Sequence, residues 1–310
     1  MIKVFGHISP DTDTTASAII WSWYVKTHTA RDAEAFVLGT LNKETSFVLK
    51  HFGIQEPRLL ETLVSGQDVI IVDTNNPQEL PTNISEANIL QIIDHHRLTG
   101  GLSTLAPIDI CIKTHASTAS VIYDLMGEHV KNLPRDIAGL ILSCIISDTL
   151  CFRSPTTTAH DKYIAETIAK QIDVNIEELA DMMFSAKSDV SDFTDIGLIH
   201  LDSKKTALGD NNILVSVVET TKPDSILKRK EGIVSSMKNI MEQETDLTDI
   251  FFFIIDILKE QAIVFTYNDF TKGVIETSFE VTSEEGIAIL PGIVSRKKQI
   301  LPMLKLPNSI

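Results

Sequence analysis

Short β-branched runs alternate with helical patterns through the first half of the chain. That alternation confines it to a mostly parallel sheet flanked by helices. Residues 2–5 read as the first strand. Residues 14–28 read as the helix after it, because Ala16, Ile19, Ile20 and Trp23 fall at helical spacing and Thr12 or Asp13 can cap the start. Residues 35–38, 69–72, 89–93 and 108–112 are further strands, and helical patterns dominate from Ser117 to about Lys187. The polar run Lys-Ser-Asp-Val-Ser-Asp at 187–192 suits a boundary. Beyond it, 213–218, 250–257 and 262–267 read as strands. Residues 224–242 read as one helix on which Lys228, Arg229 and Lys230 form a solvated face. The expected fold class is α/β: a first domain over 1–187, a linker over 188–192 and a smaller α/β domain over 193–310.

The charge balance sharpens what such a chain can bind. Twenty-seven Lys and Arg against 42 Asp and Glu leave a net charge of −15, a field that repels phosphate backbones and anionic lipid. Nucleic acid and membrane are therefore not expected partners, and an anionic substrate must be met by metal or by a local basic cluster. The start Met-Ile-Lys-Val-Phe-Gly carries no apolar leader core, and no apolar run reaches the roughly 18 residues of a membrane span. A cytoplasmic protein is expected. Cys111, Cys144 and Cys151 fit no Cys-x-x-Cys pattern and are expected to be buried free thiols.

Acids and histidines collect where the strands end. His7, Asp11 and Asp13 follow the first strand, Asp73 closes Val-Ile-Ile-Val, and Asp94, His95 and His96 close Ile-Leu-Gln-Ile-Ile. In a parallel sheet these ends converge on one edge. Asp148 closes an apolar helical run, an unfavourable place for a carboxylate unless it is paired or bound to metal. Any one of these residues alone would be read as a cap, a turn former or a core histidine. Clustered, so much negative charge requires cations. Mixed imidazole and carboxylate without thiolate suits Mn, Co, Fe or Zn better than Mg alone. Two ions sharing a carboxylate and a solvent-derived hydroxide make a hydrolytic centre for phosphoryl groups.

His7-x-x-x-Asp11-x-Asp13, Val-Asp73, Asp94-His95-His96, Ser147-Asp148 and the late Ser295-Arg296-Lys297-Lys298-Gln299 together resemble, in order and over nearly the whole chain, the family II inorganic pyrophosphatases of the DHH superfamily. The resemblance implies that His7 and Asp11 bind one metal, that Asp13, His95 and Asp148 bind the other, and that Asp73 bridges them. It implies that His96 hydrogen-bonds the substrate phosphate and that Lys204, Arg296 and Lys297 grip the phosphates, with Lys205 as the fallback for Lys204. It further implies a DHHA2-like second domain, an active site in the interdomain cleft, two Mn²⁺ per subunit replaceable by Co²⁺, Mg²⁺ accompanying pyrophosphate, and a homodimer. One departure stands out: many members read Asp-His-Asn-Glu where this chain has Asp73-Thr74-Asn75-Asn76. Two rivals remain. A DHH phosphodiesterase acting on short oligonucleotides or cyclic dinucleotides would present a glycine-rich Gly-Gly-Gly-His motif, which this sequence lacks. A catalytically silent metal- or phosphate-binding protein would not need the distal Arg-Lys pair.

Overall fold

The computed structural model describes residues 1–307 and divides the chain into two compact units, one ending at Ala186 and one beginning at Lys187. In the first unit β1 (Ile2–Phe5), β2 (Ala33–Val37), β3 (Arg58–Leu59), β4 (Asp68–Val72), β5 (Asn88–Asp94) and β6 (Asp109–Ile112) form one sheet in the order β3-β2-β1-β4-β5-β6. Every pairing in it is parallel. The helices are α1 (Thr12–His28), α2 (Lys43–His51), α3 (Thr118–Met126), α4 (Arg135–Asp148), α5 (Ala159–Ile172) and α6 (Ile176–Lys187). Val69, Ile70, Ile71 and Val72 are all buried, the continuous apolar run of a strand covered on both faces. The winding reverses between β1 and β4, so the connections leaving their C-terminal ends part and leave a crevice there.

Helix α1 begins earlier than its apolar spacing suggests. Asp11, not Thr12 or Asp13, is the cap: its backbone is extended and its Oδ1 accepts from the Thr14 N–H at 2.9 Å. Three polar residues stand in a row there and the apolar pattern starts only at Ala16, so periodicity could not choose among them. The helix packs on β2, α3 and α4 and buries much of its circumference, including Thr12, Asp13, Thr14, Thr15 and Ser17. Those buried polar groups need partners, and they find them in the site described below.

The second unit holds β7 (Ser203–Leu208), β8 (Asn211–Thr220), β9 (Asp249–Asp256), β10 (Gln261–Phe265) and β11 (Ile287–Pro291) in the order β11-β10-β9-β8-β7. Only β8 and β9 run parallel; the other neighbours are antiparallel. Its helices are α7 (Asp195–Leu201), α8 (Pro223–Leu227), α9 (Lys230–Gln243) and α10 (Asp269–Phe279). Strand β9 is buried from end to end and alternates its side chains between two cores. Phe252 and Ile254 pack with Ile233 and Met237, while Phe251, Phe253 and Ile255 pack with Val274 and Ile275. Each such side chain contributes about 2–3 kcal/mol by burial.

Three expectations change here. The single helix over 224–242 is broken into α8 and α9 at Arg229, whose guanidinium is held by Asp195 Oδ1 and by the backbone carbonyls of Phe193 and Val190. Arg229 is thus a structural tie rather than part of a solvated face, and Lys230 bonds the Glu285 carbonyl. Strand β8 runs longer than 213–218 because its polar ends also pair, Asn211 with Leu208 and Thr220 with Asp256. Of the three cysteines, only Cys144 is fully buried; Cys111 and Cys151 are half-buried. Helix α6 ends at Lys187 and α7 starts at Asp195. Ser188 between them is buried, its hydroxyl shared with that of Thr221 at 2.6 Å.

Candidate metal centre

The crevice between β1 and β4 gathers candidate ligands from five segments. The turn after β1 brings His7 and Asp11, the first turn of α1 brings Asp13, the end of β4 brings Asp73, and the end of β5 brings His95 and His96. Asp148, the last residue of α4, completes the set. Trios with ligand atoms within 4.8 Å of one another include His7–Asp11–Asp73, Asp13–His95–Asp148 and, overlapping both, Asp73–His95–His96. Asp73 stands between His7 and His95: its Oδ2 lies 3.4 Å from His7 Nε2 and its Oδ1 3.4 Å from His95 Nε2. Asp73 also takes a backbone φ of +60°, a left-handed conformation that Asp tolerates better than most residues.

A frame of hydrogen bonds fixes the Asp73, Asp13 and Asp11 carboxylates. Thr14 Oγ1 donates to Asp73 Oδ2, and Thr118 Oγ1 donates to Asp73 Oδ1 at 2.9 Å. Asp13 sits on the N-terminus of α3, accepting from the Thr118 N–H at 2.6 Å, the Ala119 N–H at 3.1 Å and the Ser117 hydroxyl at 2.8 Å. Asp11 divides its work: Oδ1 caps α1 while Oδ2 faces His7 Nε2 at 3.7 Å.

The histidines are oriented just as firmly. His95 Nδ1 lies 3.1 Å from the His115 carbonyl and donates a proton there, which orients the ring so that Nε2, facing Asp73, is the nitrogen a metal would take once its proton leaves. His96 Nδ1 lies 2.9 Å from Asp94 Oδ1, which commits that nitrogen and turns Nε2 to the other side of the ring. Asp94 is itself fully buried: Oδ1 also accepts from the His95 and His96 N–H groups and Oδ2 from Asn75 Nδ2 at 2.6 Å. Within the departing tetrad, Asn75 thus braces Asp94, Thr74 donates to Glu79 Oε2 at 2.7 Å, and the Asn76 side chain accepts from the Gln78 N–H.

The electrostatics show what the cluster lacks. Burial alone would lower the His7 imidazole, but the Asp11 and Asp73 carboxylates outweigh it and raise its pKa to about 10. Burial opposes His95 in the same way, and Asp73 and Asp13 lift it to about 9. Burial would raise Asp73, yet hydrogen bonds from His7 and His95 pull it well below the ordinary carboxylate range. Asp13 is pushed up to about 6 by burial and by the Asp73 charge. Asp148 is pushed up by burial and by the charges of Asp13, Asp11 and Asp73, and its buried Oδ2 has no hydrogen-bond partner among the described residues. An orphaned carboxylate oxygen facing other carboxylates is costly unless a cation joins it. The residues therefore fit divalent metal, with a mixed imidazole and carboxylate donor set suited to a first-row transition ion.

The cationic residues belong to the second unit. Arg296 opens a wide helical turn over Arg296–Ile300, capped by Ser295, and its Nη2 bonds Asp202 Oδ1 at 2.7 Å. Its Nε and Nη1 are buried without a hydrogen-bond partner among the described residues. Lys297 and Lys204 are exposed, whereas Lys205 pairs with Glu244 and Asp246. Among the bracing residues, the sequence showed Asp94 and Asn75 without revealing their roles. Nothing in the local sequence marks Thr14, Ser117, Thr118 or His115 as braces, although Ser117-Thr118 ahead of an apolar run is a helix-start signal.

Residues 1–145 match the N-terminal domain of the DHH family and residues 181–306 match the DHHA2 domain, so fold and site together define a two-domain protein of the DHH class. Within that class, the chain belongs to the manganese-dependent inorganic pyrophosphatase family. It is 37% identical over 98% of its length, and 97% of the relative's, to a probable manganese-dependent inorganic pyrophosphatase of Exiguobacterium sp.. It is 33% identical, over 98% of this chain and 97% of the other, to one of Streptococcus pyogenes. A Methanococcus jannaschii structure assigned to the family II inorganic pyrophosphatases superposes with a TM-score of 0.62 at 35% identity, covering 98% of both chains. An exopolyphosphatase-related protein from Bacteroides fragilis shares the fold at 12% identity, with a TM-score of 0.52 over 97% of this chain and 89% of that one.

Proposed function

We propose that this chain hydrolyses inorganic pyrophosphate to two orthophosphates with Mn²⁺, and the observation that carries the reading is that the Asp73 carboxylate stands between the two sides of the ligand cluster, 3.4 Å from His7 Nε2 and 3.4 Å from His95 Nε2. His7, Asp11 and Asp73 would hold one ion, and Asp13, His95 and Asp148 the other with Asp73 shared between them. Bound there, Mn²⁺, or Co²⁺ in its place, lowers the pKa of a water and offsets phosphoryl charge. The relatives named above support both the metal and the substrate.

The chain's own groups do the rest. An open cavity of about 470 Å³ beside the centre is lined by His7, Ser9, Asn75, His96 and Arg97, room for a small anion next to the ligands. The Asp94 carboxylate beside His96 raises its imidazole pKa, which favours the protonated ring that can donate to a phosphate oxygen. In the second unit, Asp202 holds Arg296 Nη2, and the diverging Nε and Nη1 N–H groups can each donate singly to an anion. Lys297 and Lys204 add cationic contacts to the phosphates, with Lys204 preferred because Lys205 is committed to Glu244. Fixed donors of this kind stabilise the charge gathering on the departing phosphate without reorganising. Mg²⁺ accompanies the substrate, residues 188–192 act as the linker, and the enzyme works as a homodimer in the cytoplasm.

Phosphate release from pyrophosphate and an aryl phosphate, and mononucleotide release from a dinucleotide, measured while Mn²⁺ and Mg²⁺ are varied, test the reading. Mn²⁺-dependent release from pyrophosphate alone is expected. Comparable turnover of the dinucleotide would overturn it in favour of a phosphodiesterase.

A further inference from the structure

A second group of metal-ligating side chains lies apart from the crevice, and we propose that His115, Asp124 and His160 form a separate binding site for a late first-row divalent ion of the Zn²⁺ type. The three come from different segments: His115 from the loop after β6, Asp124 from α3 and His160 from the first turn of α5. His115 Nε2 lies 3.0 Å from Asp124 Oδ2, and His160 Nε2 lies 2.8 Å from Asp124 Oδ1. The two imidazole rings face each other with centroids 5.0 Å apart. One ligand atom from each residue falls within 4.8 Å of the others. Ligands bound at about 2.0–2.1 Å in tetrahedral or octahedral geometry stand roughly 2.9–3.4 Å from one another, so the groups are already near coordination distance.

The donor set differs from that of the crevice in a way that selects the ion. Two imidazoles and one carboxylate, with a position open to solvent, favour zinc and its late neighbours over manganese or magnesium. The side chains are reachable, with exposures of 14% for His115, 22% for Asp124 and 41% for His160. The cluster also carries its own competitor. Lys113 Nζ sits 2.7 Å from Asp124 Oδ2, and its side chain, 38% exposed, can swing into water when a divalent ion arrives. Joining the two regions, the His115 backbone carbonyl accepts from His95 Nδ1 while its ring faces Asp124.

Mn²⁺-loaded full-length protein is dialysed against buffered Zn²⁺, and both metals are then counted by mass spectrometry. Wild type is expected to gain one zinc per chain beyond its crevice metal, so that manganese and zinc together rise by one per chain. His160→Gln and Asp124→Asn should show no such rise, and Lys113→Gln should bind the added zinc about tenfold more tightly. His160 stands on an exposed turn, so its variant carries the test should Asp124→Asn fail to fold. Zinc entering wild type only in exchange for manganese, or the same rise in His160→Gln, would overturn the proposal.

Discussion

Loading the crevice with Mn²⁺ should expel protons, and their number follows from the charges that hold the metal-free cluster together. With pKa values of about 10 and 9, His7 and His95 are both protonated at pH 7 and serve as counter-cations to Asp73. Asp148, held above the ordinary carboxylate range, can add a third proton. Asp13 at about 6 is mostly ionised at neutral pH and adds roughly a tenth of one. Ligands must shed these protons to bind metal, so filling both positions releases two to three per chain. Each proton displaced makes apparent affinity rise roughly tenfold per pH unit, so affinity climbs steeply near neutrality and flattens as His95 and then His7 titrate by themselves. The metal-free protein moves the other way. An imidazole raised from 6.5 to about 10 or 9 contributes stability that is complete below 6.5 and lost as pH rises through the folded-state value. Alkali should therefore destabilise the metal-free protein while it strengthens metal binding. Titration calorimetry in two buffers of different ionisation enthalpy counts the protons, and thermal melts of chelated protein at pH 7 and pH 9 test the stability. Release of fewer than one proton at pH 7 would show that the imidazoles are neutral before metal arrives and would refute the charge balance.

Three substitutions probe separate parts of the site. Asp148→Asn should leave the melting temperature of metal-free protein nearly unchanged, because the amide mimics a protonated carboxyl, yet abolish most of the stabilisation by Mn²⁺ and the activity with it. His96→Gln should lower turnover far more than metal content, so equal metal loss in these two variants would remove the distinction between them. Asp11→Asn should fold as well as wild type because Asn caps a helix equally, whereas Asp11→Ala should cost about 1 kcal/mol. Both should bind Mn²⁺ more weakly, which melts with and without metal separate from the capping effect. Arg296→Ala should slow pyrophosphate hydrolysis while elemental analysis finds metal content near normal; loss of metal would place Arg296 in the support of the centre instead.

The implied ligands were legible because a parallel sheet turns position in sequence into position in space: an acid or histidine at the end of an apolar strand run has one edge to occupy. What holds those ligands was not. Thr14, Thr118 and Asn75 look like ordinary polar residues, and only the fold shows that Thr14 and Thr118 grip opposite oxygens of Asp73. The same limit hid the edge strand β7, whose Ser-Lys-Lys-Thr-Ala-Leu has no apolar alternation, and the break at Arg229, which depends on a distant Asp195. Local pattern carries the face a residue presents. It cannot carry a partner many residues away.

The left-handed backbone at Asp73 narrows what evolution can try at that position. Two demands fall on one residue, a negative charge at a fixed reach and a φ of +60°, and few side chains meet both. Glycine and asparagine accept the backbone but bring no charge. Glutamate keeps the charge but adds a methylene and gives up the local tolerance of aspartate for this conformation. The substitution that looks most conservative on paper is therefore blocked on both counts, and neutral drift has almost no path through this codon.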